Sequence, residues 1–143
     1  MAKAKGKLSL EFLILCDYAV ISKENRLSIL GIFDQIFIDN LPSQHPKMFV
    51  VGILKGEANG KHSLSMQLKD PEGKNIFPNQ QMQVTLGGNG NSNFLAELNN
   101  LPLSLIGNYS IELSTDGKVL GKKAFKIFRA GDSQSKSGEK MTN

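Results

Sequence analysis

The stretch GNYSIELSTDGKVLGKKAFKIF, Gly107 to Phe128, decides the fold class. Tyr109, Ile111 and Leu113 alternate with Ser110, Glu112 and Ser114, the period-2 signature of a strand with one buried face. A second alternating run follows Thr115-Asp116-Gly117-Lys118. Two such runs around an Asp-Gly turn predict a β-hairpin.

Working outward, the same period recurs and no segment sustains a helical one. Leu8–Ile21 reads as a strand with Leu8, Leu10, Phe12, Ile14, Cys16, Tyr18 and Val20 on one face. After the polar turn Ser22–Arg26, Leu27–Asp39 reads as its hairpin partner, with Gly31 inside it marking a bulge or a close backbone approach. Asn40–Lys47 contains Pro42 and Pro46, which predicts a connection rather than a central strand. Met48–Leu54 is continuously apolar, as in a strand buried on both faces. Further strands are predicted over Ser63–Lys69, Met82–Leu86 and Phe94–Leu98. The turn Asp70–Asn75 and the loop Gly87–Asn93 punctuate them, and Asn99–Ile106 leads into the closing hairpin. Eight or nine short strands predict an all-β fold, a two-layer antiparallel β-sandwich of immunoglobulin-like or macroglobulin-like type.

The 143 residues suit one domain, and 40% hydrophobic content suffices for a core. The expected organisation is a flexible basic arm over 1–7, the sandwich over 8–130 and a disordered tail over 131–143. The net charge of +4 is concentrated in that arm, through Lys3, Lys5 and Lys7. Between Leu8 and Ala130, 12 basic residues face 11 acidic ones, so the domain is nearly neutral and its bulk charge does not mark a nucleic-acid binder. The single cysteine, Cys16, rules out an intrachain disulfide and fits a reducing, cytoplasmic setting. Lys3–Lys7 followed by LSLEFLILCDYAV has the outline of an export signal. Glu11 interrupts its apolar run, however, and Leu15 precedes the cysteine where cleavage wants a small residue. No apolar run reaches the ~20 residues of a membrane-spanning helix.

No motif assembles a nucleophile, a base and a stabilising group, and no metal-ligand spacing occurs. No catalytic, cofactor-binding or metal residue is therefore expected. His45 and His62 read as solvent-facing or structurally bonded. Cys16 reads as a small core residue, with Asp17 on the opposite face. Asp70 and Glu72 belong to a turn that cannot supply the 6–8 oxygens of a calcium site. Gly87–Asn93 leads into a strand and holds no lysine, unlike a phosphate-cradling loop. The final strand carries Lys118, Lys122, Lys123, Lys126 and Arg129 with no acid from Gly117 to Ala130. Protection of a sheet edge accounts for these cations. A weak anion or nucleic-acid site is the alternative, weakened because the cations divide between faces and only Phe125 and Phe128 could stack on bases. The leading expectation is a non-catalytic binding or structural module. It would contact another protein, or a second copy through a sheet edge, using the His45 loop, the Gly87–Asn93 loop or the final strand. The competing expectation is an enzyme in which Asp17, Asp34, Asp39 and His45 converge. A ligand carrier with its pocket between the sheets is a third.

Three segments together, LILCDYAVISKENRLSILGIFDQIF, LPSQHPKMFVVG and GNYSIELSTDGKVLGKKAFKI, resemble an uncharacterised family of small bacterial proteins. The shared features are an opening strand with the acidic-aromatic pair Asp17-Tyr18, the segment Gly31–Asp34, and the closing Gly107–Tyr109 motif. The resemblance spans about residues 8 to 130. It implies a bacterial β-sandwich and carries over no activity, cofactor or catalytic residue.

Overall fold

The computed structural model describes residues 7–131. The expected arm over 1–7 and tail over 131–143 therefore lie outside the described residues, save Lys7 and Gly131. Nine strands form two sheets: β1 (Ser9–Ile21), β2 (Leu27–Phe33), β3 (Gln35–Ile38), β4 (Ser43–Lys55), β5 (Lys61–Lys69), β6 (Gln80–Thr85), β7 (Asn91–Leu103), β8 (Gly107–Thr115) and β9 (Lys118–Arg129). The four-stranded sheet has the order β2-β1-β4-β7, the five-stranded sheet β3-β9-β8-β5-β6. The fold is an all-β sandwich.

The closing hairpin forms as its sequence requires. Thr115 pairs with Lys118, and the two residues between them, Asp116 and Gly117, take φ of 48° and 76°. That is the primed turn whose twist matches its flanking strands. Tyr109, Ile111 and Leu113 are buried between the layers with Leu64, Met66 and Leu68 of β5 and Met48 and Val50 of β4. The Asp70–Asn75 turn is set by one side chain: Asp70 Oδ1 accepts from the backbone N–H of Glu72 at 2.8 Å and of Lys74 at 3.0 Å.

Four boundaries differ from the sequence expectation. Leu27–Asp39 is not one strand. The chain leaves the four-stranded sheet after Phe33, and β3 joins the other sheet parallel to β9, with Lys126 N–H donating to Asp34 O at 2.9 Å. Alternation continues through such a switch of layers, so periodicity does not register it. The prolines of Asn40–Lys47 do not exclude a strand either, since β4 begins at Ser43. The ladder with β1 ends at Phe49, so around Pro46 β4 has β7 alone as neighbour, and a missing N–H is tolerated at such an edge. Correspondingly, β7 runs on through Pro102 to Leu103 and starts already at Asn91, inside the predicted loop.

The fourth difference concerns β1. A register shift between Leu10 and Phe12 divides its apolar residues between two faces. Leu8 and Leu15 lie in the main core, with Leu10 and Leu13 packed against it. Cys16 is buried instead in a smaller cluster with Ala19, Phe49 and Val51, against which Phe12, Ile14, Leu27, Ile29 and Leu95 pack. The four-stranded sheet is thus apolar on both sides.

Candidate functional site

Ladder pairing shows how the outer face of the four-stranded sheet is assembled. Cys16 pairs with Ile32 on one side and Phe49 on the other; Tyr18 pairs with Leu30, Ile14 with Val51, and Val51 with Leu95. Ile14, Cys16, Phe49, Val51 and Leu95 thus form one apolar surface, against which Ala19, Leu27 and Ile29 of the β1–β2 hairpin also pack. Its inner part is self-covered, with Cys16 and Val51 fully buried. The hairpin residues that alternate with Ala19, Leu27 and Ile29, together with Ile32 beyond Gly31, are open to solvent: Leu30 is 64% exposed, Ile32 65%, Tyr18 48% and Val20 43%. Its borders carry internally matched charges, Lys47–Glu97 at 3.4 Å and Lys55–Glu11 at 3.3 Å. A shallow depression of about 400 Å³ beside Tyr18, Phe49 and Leu95 lies on this face.

β2 is also the outermost strand of its sheet, and its sequence LSILGIF holds neither charge nor proline. Of the other outer strands, β7 and β3 are guarded in ways natural sheets use, by charge and proline or by shortness, and β6, though uncharged, is mostly polar. β7 carries Asn91, Asn93, Glu97, Asn99 and Pro102; β3 is four residues long; β6 reads QQMQVT.

Where β2 gives way to β3, a cavity of about 440 Å³ is lined by Asp17, Gly31, Ile32, Phe33, Gln35, Ile36, Phe37 and His45. Gly31 takes φ of 70°, and a Cβ there would collide with the Asp17 carboxylate, so the close approach expected at Gly31 is to that side chain. His45 is half-buried, tilted against Phe33 with ring centroids 6.0 Å apart. Burial pulls its pKa below the ordinary imidazole value, with the Asp17 charge and a backbone bond at Lys47 opposing.

Of the four residues named for an enzyme, the structure brings Asp17 and His45 to this cavity. Asp34 lines a separate depression with Asn108 and Lys126, and Asp39 lines neither. No three His, Cys, Asp or Glu side chains gather as a metal site among the described residues. His62, expected to be solvent-facing or structurally bonded, is not solvent-facing. It is 3% exposed, and its Nε2 has no hydrogen-bond partner among the described residues. Its parity with Leu64, Met66 and Leu68 was the signal that places it inward. Burial pushes the Cys16 thiol pKa up, and its Sγ donates to Tyr18 O at 3.4 Å, so it is a protonated core residue.

The basic strand is not a simple sheet edge. β3 covers β9 from Lys126 to Arg129, leaving Lys118–Phe125 with β8 as its ladder neighbour. Lys122 shares Glu112 with Lys69, at 3.9 and 3.8 Å. Lys126 lies 5.4 Å above the Phe128 ring. Lys123 shares parity with buried Phe125 and Ile127, opposite to Lys122 and Lys126, so the cations line no common face. No helix among the described residues is long and apolar enough to cross a membrane.

Solved structures share the chain path at low identity. An alkylpurine DNA glycosylase AlkC from Pseudomonas fluorescens, bound to DNA containing an abasic site analog, has 10% identity and a TM-score of 0.50 over 86% of this chain and 31% of that one. A beta-glucosidase from Listeria innocua in complex with glucose has 12% identity and a TM-score of 0.50 over 85% of this chain and 16% of that one. An immunoglobulin-like protein from Pseudomonas aeruginosa has 13% identity and a TM-score of 0.47 over 87% of this chain and 98% of that one. The chain thus spans less than a third of the first two, and such likeness concerns the fold alone. No curated protein matches the chain in sequence. The model of a family of unknown function, DUF6941, matches residues 11–128, from the strand that carries Asp17-Tyr18 to the end of the closing hairpin, and the chain belongs to that family.

Proposed function

We propose that the protein is a non-catalytic module that works by self-association, burying the open part of its four-stranded sheet against a second copy. The observation that carries this reading is the run of exposed apolar side chains Tyr18, Val20, Leu30 and Ile32 on two adjacent strands, one of them an unguarded edge. Contiguous apolar surface rimmed by polar residues marks an interaction site. A second copy is the fitting occupant because the border charges are already matched within the chain. Lys47–Glu97 and Lys55–Glu11 leave no excess sign to repel an identical face. A two-fold contact places the same patch on both sides, which an electrically neutral apolar surface allows.

Sedimentation velocity across a wide concentration range tests it. The native chain is expected to dimerise. The double variant Val20→Lys, Leu30→Lys is expected to stay monomeric with an unchanged far-UV spectrum, because both side chains are solvent-exposed in the single chain. A native chain that remains monomeric at the highest concentration overturns the reading.

A further inference from the structure

The cavity between β2 and β3 borders that face, sharing Ile32 with it, and has a chemistry of its own. It is built where the chain crosses from one sheet to the other, and four segments meet there. β1 supplies Asp17, β2 supplies Gly31, Ile32 and Phe33, β3 supplies Gln35, Ile36 and Phe37, and β4 supplies His45. The volume of about 440 Å³ is within the range of small-molecule sites. Phe33, Phe37 and the exposed Ile32 give apolar patches in a lining that is otherwise polar, and Phe37, stacked on Phe128 at 5.3 Å, is still 44% exposed. Asp17 is the only anionic group in the lining, and the ion pairs among the described residues do not include it. The glycine at position 31 is what leaves room for its carboxylate.

We infer that this cavity binds a small organic cation, a protonated amine on an apolar body, with Asp17 as counter-ion and the aromatic patches as its bed. Each part of the lining meets one part of such a ligand. The carboxylate matches the ammonium charge, and ring faces attract cations as well as apolar groups. The Gln35 side chain can accept a hydrogen bond through its amide oxygen. An anion would meet the Asp17 charge, and a neutral apolar ligand would leave it uncompensated.

The titratable groups facing the cavity are Asp17 from β1 and His45 from β4; the linings from β2 and β3 carry none. His45 titrates below the ordinary imidazole value because of its burial. At neutral pH its ring is therefore uncharged and does not compete for Asp17. As pH falls through the His45 titration, the imidazolium becomes a rival cation and ligand affinity drops.

The probe is phenethylamine, titrated into the full chain at neutral pH while backbone amide chemical shifts are followed. Saturable shifts are expected at Asp17, Gly31, Ile32, Gln35 and Phe37. The neutral analogue 3-phenyl-1-propanol is expected to bind more weakly. Asp17→Asn should weaken the amine roughly fivefold, the upper end for a solvent-accessible charge pair. Asp39→Asn, outside the lining, should leave its affinity unchanged. Absence of saturable shifts at these residues overturns the inference, as does equal affinity for the alcohol or for the amine in Asp17→Asn. Should Asp17→Asn disturb the fold, the comparison of amine with alcohol on the native chain decides alone.

Discussion

Tyr109 shows how much one side chain can organise in this protein. Its hydroxyl donates to Leu105 O at 2.7 Å and accepts from Leu105 N–H at 3.2 Å, tying the start of β8 to the preceding corner. A tyrosine hydrogen-bonded back to the backbone just upstream recurs in immunoglobulin-type sandwiches. Its ring stacks on Phe125 at 5.5 Å in the core. Tyr109→Phe keeps the ring and loses both bonds, so a cost of about 1–3 kcal/mol is expected in urea unfolding. Burial, the largest influence, raises the phenol pKa above its ordinary value, with bonds at Leu105 and Ser104 opposing and Asp70 assisting. The folded state therefore favours the neutral phenol. That contribution is complete below pH 10 and is lost as pH rises through the raised folded value. The phenylalanine variant should lack this alkaline loss, and identical stability profiles above pH 10 for both proteins would contradict the assignment. The inward direction of Tyr109 was readable from alternation, whereas its bond to Leu105 depends on a corner geometry that no periodicity encodes.

Among the elements, β2 and its crossover to β3 decide most of what is distinctive. Gly31 combines a left-handed φ with direct contact to Asp17. Gly31→Ala should cost about 1–3 kcal/mol, as a side chain in that backbone region is strained and the carboxylate must move. An unchanged urea midpoint would show that β2 accommodates the methyl group by other means. Alternation correctly identified the strands around it, because a half-buried strand must repeat every second residue. It could not show the layer switch at Asp34 or the bulge after Leu10. Each leaves polar and apolar residues alternating locally while changing the face they address. For the same reason the cavity was only half visible. Asp17 and His45 stood out as residue types, but their convergence rests on β3 leaving its hairpin partner's sheet. The apolar outer surface was hidden in β1, where one run of alternating residues serves two clusters.

At the scale of the molecule, the four-stranded sheet is shared. Its β1 and β4 side chains fill the main core on one side and the Cys16 cluster on the other. Neither cluster can be lost without disordering strands that support the other, so the domain should unfold as one unit. Far-UV circular dichroism and tyrosine fluorescence during urea denaturation are expected to superimpose, Tyr109 reporting the interior and Tyr18 the surface. Two separated transitions would mean that the clusters are energetically independent.

The parallel clasp between β3 and β9 carries a further consequence for synthesis. Gln35–Ile38 is made early, yet its ladder partner, Lys126–Arg129, is among the last stretches of the domain to be translated. While the ribosome still holds that stretch, β3 has no strand to join, and β8 lacks the neighbour whose Phe125 stacks on Tyr109. The nascent chain must therefore wait, its layers unsealed, until Arg129 clears the exit tunnel.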